Sequence, residues 1–145
     1  MEQRDYLLRE IEKIGAIVSA FRQIIFGSGE NTAITIENQV KEAKGMLLNE
    51  LSFDFDAFLL LSEEESKEYI NNFVGFSVEN IELLAECISE IGFNDKSVNS
   101  TKYLMKALQL YNLCNLKSAT YLFEREAKIN TIRETITSIP EHSEK

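Results

Sequence analysis

The side chains in this chain that could be put to chemical use are mostly carboxylates. Asp54 and Asp56 form a D-x-D pair that could hold a divalent ion. A hard cation wants several more oxygens and usually a glycine turn, and neither follows. Acids at a helix N-terminus, favoured by the macrodipole, are the simpler account. Ser62, Glu63, Glu64 and Glu65 make the same offer, yet Ser62 with Glu65 three residues on is a capping box that opens a helix. Glu79, Glu82, Glu86 and Glu90 recur at helical spacing. Such a stripe either attracts a basic partner or faces water. Cys87 and Cys114 sit inside apolar helical stripes without C-x-x-C spacing. They read as buried free thiols in a reducing compartment.

The remaining catalytic repertoire has no address. The one histidine, His142, falls in the polar tail, so no histidine-based triad, general base or zinc site is expected in the body. The phosphate-cradling glycine patterns and the nucleophile elbow are not found. Carboxylate-pair catalysis depends on a three-dimensional meeting of acids that spacing does not locate. No catalytic residue, cofactor or metal is therefore assigned, and the expectation is a protein without catalysis.

Composition narrows the partners. With 24 acidic against 15 basic residues the formal charge is −9. Nucleic-acid binders need a surplus of Lys and Arg to displace counterions from phosphates, so no nucleic acid is expected, and anionic membrane surfaces are disfavoured likewise. No apolar run approaches the roughly 20 residues of a spanning helix, and 57–61 is the longest cluster. No basic region followed by an apolar core marks a signal peptide. The expected location is cytoplasmic.

The elements that must carry these residues read as helices. Six glycines and one proline in 145 residues leave few breaks. Leu7, Ile11, Ile14, Val18, Phe21 and Ile25 form a heptad seam over 3–26, widened by Leu8, Ile17 and Ile24. That seam either packs on the chain's own hairpins or serves a dimer mate or partner. Gly27 to Gly29 close the helix. A second helix is predicted over 35–51, capped by Thr32 or Thr35, with Gly45 inside it marking a close helix approach. The alternation at 52–56 reads as a bend into a short helix over 57–61. Helices over 63–74, with Tyr69, Ile70, Phe73 and Val74 buried, and over 78–91 follow, with Gly92 opening a loop.

Residues 100–129 hold two apolar stripes, Tyr103, Leu104, Ala107, Leu108 and Tyr111, then Leu116, Ala119, Leu122 or Phe123, and Ile129. A short turn near Cys114 and Asn115 makes them an antiparallel hairpin. The second helix is expected to exceed 20 residues, running on through Ile132 and Ile136. The hairpin resembles one tetratricopeptide repeat: Tyr103, Ala107, Leu110, Ala119 and Phe123 stand at its aromatic, small, large, small and aromatic positions. Lys106, Glu126 and Thr131 depart from its leucine, alanine and proline. The opening D-Y-L-x-R-x-I-E-x-I-G (5–15), the D-F-D-x-F-L-x-L-S-E-E-E run (54–65) and A-L-Q-L-Y (107–111) look like a family of short bacterial proteins of unknown function. The resemblance implies an all-helical, tetratricopeptide-like fold and no transferable site.

The reading is thus an all-α domain over 1–139, built as antiparallel hairpins in a short tetratricopeptide-like stack with a long N-terminal helix, and a polar tail over 140–145. It is expected to be a protein–protein interaction module with an unknown partner. A homo-oligomer using the N-terminal seam is the alternative, and a carboxylate enzyme ranks below both. Leu104 and Leu108 fall at partner-facing groove positions where polar anchors are usual. They should therefore be covered, and the face through Leu7, Ile11, Ile14, Val18 and Phe21 is the expected cover.

Overall fold

The computed structural model describes residues 2–27, 29, 33–95, 99–118 and 122–139. Every regular element among them is an α-helix: α1 Glu2–Phe26, α2 Ala33–Leu51, α3 Phe55–Leu59, α4 Glu63–Asn71, α5 Val78–Asn94, α6 Asn99–Ser118 and α7 Phe123–Ser138. The chain is all-α, and one core cluster draws side chains from all seven helices.

Helix starts follow their caps. The Asp54 carboxylate accepts from the Ala57 amide (3.1 Å) and opens α3. At α4 both halves of the capping box form: Ser62 Oγ accepts from the Glu65 amide (3.1 Å), and Glu65 Oε1 accepts from the Ser62 amide (3.0 Å). Ser77 Oγ caps α5 through the Asn80 amide (3.3 Å). The alternation at 52–56 has a simple cause. Phe53 turns inward into an aromatic cluster with Phe58, Tyr69, Phe73 and Phe76, and Phe55 turns inward onto Phe21 and Tyr103, while Asp54 and Asp56 face out.

α5 is the central member. Contacts of Leu104 at Gly92 and of Cys114 Sγ with the Val78 carbonyl make α5 and α6 antiparallel. Ile11 beside Asn80 and Arg22 beside Glu90 make α1 parallel to α5, and Arg125 beside Glu82 with Lys128 beside Glu86 does the same for α7. α2 packs outside α1, and the α3–α4 elbow packs on α6. Buried Asn80 fastens α1, donating to the carbonyls of Ile11 and Gly75 (2.9 Å each).

Several expectations need correction. α6 continues through Cys114 and Asn115 to Ser118, so the turn lies later and Cys114 is an interior helix residue. α7 has 16 residues, fewer than expected. Gly92 belongs to α5, not to a loop, and lets α6 close in: a Cβ there would stand 2.9 Å from Leu104. Gly45 has nothing within 4 Å of where its Cβ would be, so it marks no close approach. α4 stops at Asn71, leaving Val74 exposed. Three residues separate Leu51 from Phe55, which places the short helix two residues earlier than the predicted 57–61. Leu104 is buried against α5 where Gly92 makes room, whereas α1 lies on another side of α5; α1 is not its cover. The expected cap Thr32, the repeat position Ala119, the proline Pro140 and His142 lie outside the described residues.

Candidate functional site

Of the seam named from the sequence, Ile14, Val18, Phe21 and Ile25 are in the core. Ile11 is half-buried and Leu7 is 44% exposed, with Tyr6 at 50% and Leu8 at 51% beside it. The gradient has a geometric cause. α1 has 25 residues against 19 in α2, which at about 1.5 Å per residue leaves roughly 9 Å of overhang. Leu104 is buried and Leu108 half-buried, packed against the core. At the repeat-like hairpin, Phe123 is 79% exposed and Leu116 also faces water, while α7 reaches the core through Arg125, Ile129 and Ile132.

The carboxylates are brought to tasks within the chain. Asp54 caps α3, and Asp56 pairs with Lys44 at 3.0 Å. Three of the four stripe glutamates meet cations from flanking helices. Arg22 of α1 donates through Nε and a terminal nitrogen to both oxygens of Glu90 (2.7 and 2.8 Å). Lys128 of α7 pairs with Glu86, and Arg125 with Glu82 at 2.9 Å. Glu79 is exposed. Hydrogen bonding to Glu90 and Glu82 raises the pKa of Arg22 and Arg125 respectively, so both guanidiniums stay charged.

Between α1 and α7, over α5, the Arg22–Glu90 and Lys128–Glu86 pairs frame a cleft of about 650 Å³. Leu83 and Phe93 form its floor; Ala127, Thr131 and Ile132 form its α7 wall; Tyr111 of α6 contributes from beneath. The Tyr111 hydroxyl is buried and has no hydrogen-bond partner among the described residues. Burial first, then the charges of Glu86 and Glu82, push its pKa up, so it stays a donor. A second cleft of about 620 Å³, between α2 and the α5–α6 junction, is lined by alternating charges, including Lys41, Lys44, Asp56, Asp95 and Lys102.

One buried amine was not singled out from the sequence as a site. Lys106, 2% exposed, donates from Nζ to the Leu61 carbonyl (2.8 Å) and to Ser66 Oγ, and lies 4.8 Å from the centre of the Phe58 ring. Burial pulls its pKa down to about 8. A serine beside a lysine with a lowered pKa is the raw material of a nucleophile and base. Here Ser66 is equally closed at 2%, its hydroxyl donates to Gln109 Oε1 (3.4 Å), and its amide is spent on Ser62. The arrangement ties the α3–α4 elbow to α6. The thiols are free and buried, and burial raises both, Cys114 to about 12, which removes the thiolate that reactivity needs.

No helix among the described residues is long and apolar enough to cross a membrane. Compared with protein-family models, curated proteins and solved structures, the chain matches none.

Proposed function

We propose that the protein is a non-catalytic, tetratricopeptide-like helical module that recognises another protein in the cytoplasm. The supporting observation is the unfinished apolar end of α1, where Leu7 continues the buried seam and Tyr6 and Leu8 stand exposed beside it. An apolar side chain left in water forgoes about 1.5–3 kcal/mol of burial, and a cluster of them on a helix end is a surface suited to a partner. The closed state of Lys106, Ser66 and both thiols supports a structural use for the groups that would otherwise suggest catalysis. The same seam favours a second reading, self-association of two copies through their α1 ends.

The test is a Leu7→Glu/Leu8→Glu double variant, compared with the parent in affinity capture and sedimentation velocity. The substituted side chains are exposed, so helicity and melting temperature should hold. Loss of one captured protein from the variant supports the module. A parent dimer that the variant turns into a monomer supports self-association instead. Identical capture and identical monomeric sedimentation for both chains would reject this surface.

A further inference from the structure

The cleft between α1 and α7 is separate from the α1 end and presents a different chemistry. Its volume of about 650 Å³ falls within the roughly 300–1,000 Å³ typical of small-molecule sites. Its floor and α7 wall are chiefly apolar. Its polar features differ in how far they are already satisfied. Ser89 Oγ donates to the Glu86 carbonyl and Thr131 Oγ1 to the Ala127 carbonyl, leaving both with spare acceptor capacity only. The Tyr111 hydroxyl has no partner among the described residues, unlike buried Asn80, Ser66 and Lys106, which are all engaged. A buried hydroxyl without a partner is destabilising, because its desolvation goes uncompensated, and it calls for an explanation.

Charge defines the missing group. The cations lining the cleft, Arg22 and Lys128, are matched by Glu90 and Glu86. A charged ligand would have to break one of those pairs or leave its own charge uncompensated in a partly dry site. An uncharged ligand has neither difficulty. We infer that the α1–α5–α7 cleft binds a small, uncharged, largely apolar molecule with a hydrogen-bond acceptor, seated on Leu83 and Phe93 with its acceptor toward the Tyr111 hydroxyl. The inference goes beyond the interaction surface and does not depend on it, since Leu7 and Leu8 take no part.

Acetanilide is a suitable probe, being flat, neutral and equipped with a carbonyl; phenylacetate and benzylamine are its anionic and cationic counterparts. Titrated into the ¹⁵N-labelled 145-residue chain, acetanilide should give saturable shifts at the amides of Leu83, Phe93 and Thr131. Tyr111→Phe removes one neutral hydrogen bond and should weaken binding about three- to ten-fold. Thr131→Arg, from an exposed wall position, should abolish it by filling the cleft, with the circular dichroism of the chain retained. Absence of saturable shifts, unchanged affinity in Tyr111→Phe, or tighter binding of either charged counterpart would overturn the inference. The Leu7→Glu/Leu8→Glu chain should bind acetanilide as the parent does, which separates failure here from failure of the interaction surface.

Discussion

Lys106 holds its ammonium among a carbonyl, a hydroxyl and the face of Phe58, with burial as the dominant influence on its proton. Its pKa of about 8 in the folded chain lies below the ordinary 10.5, so the unfolded chain binds that proton more tightly. Folding therefore carries the full penalty below about pH 8 and sheds it as pH rises toward 10.5. A shift of this size corresponds to roughly 3 kcal/mol. Cys87, Cys114 and Tyr111, whose pKa values are raised, act oppositely at high pH, so the lysine must be isolated by difference. Urea denaturation of the parent and Lys106→Met at pH 7, 8.5 and 10 should show the parent gaining on the variant with rising pH. A constant difference would mean that the amine is ionised as freely as in water. The sequence showed a lysine where the repeat has leucine, and nothing more. Its carbonyl acceptor, Leu61, is 45 residues away, beyond what helical periodicity relates. Arg125 escaped notice for the same reason, and Tyr111 was read only as a member of an apolar stripe.

Helices were legible where the signal was local. The capping box at Ser62 and Glu65 forms, and the α1 seam enters the core through Ile14, Val18, Phe21 and Ile25. Glycine was ambiguous, because flexibility and close approach share one residue type. Gly75 has φ +103°, and a Cβ there would lie 2.6 Å from the Glu10 backbone. Gly75→Ala should therefore destabilise by roughly 1–3 kcal/mol from backbone strain alone, with the clash against α1 adding to it. Gly45 is exposed within α2 and has open space around it. Gly45→Ala should stabilise by up to about 1 kcal/mol, the helix-propensity difference. Thermal unfolding of the two variants checks the pair: opposite signs are expected, and a shared sign would remove the distinction drawn between them. The turn after α6 was misplaced for a related reason. Asn115 resembles a terminator, but its amide oxygen accepts from Arg125 and its amide nitrogen donates to Glu126 of α7. It stays helical and serves the joint between α6 and α7.

Across the whole molecule, α5 carries the acids that bind its parallel neighbours, and this distributes stability unevenly. α7 enters the core through few side chains, Arg125, Ile129 and Ile132 being the buried ones, and Leu122 gives it no side-chain cap. Its fastening is the guanidinium of Arg125, 1% exposed, held by Glu82, Asn115 and Ser118. Removing one partner of a buried pair costs about 3–5 kcal/mol because the other charge is stranded, whereas exposed pairs contribute about 0–1 kcal/mol. Glu82→Gln should therefore loosen the molecule far more than Glu86→Gln, although the two glutamates share one stripe. The loosening should also be local. With so small an apolar face, α7 can open while α1, α5 and α6 stay packed, so it is expected to form the least stable unit. In native-state hydrogen exchange, amides near Ile129 and Ile132 should lose protection in Glu82→Gln, while those near Leu84 and Ile88 in α5 keep theirs. Equal loss in both helices would show that α7 unfolds only with the whole protein, and that the Arg125 pair holds the fold together and not just its last helix.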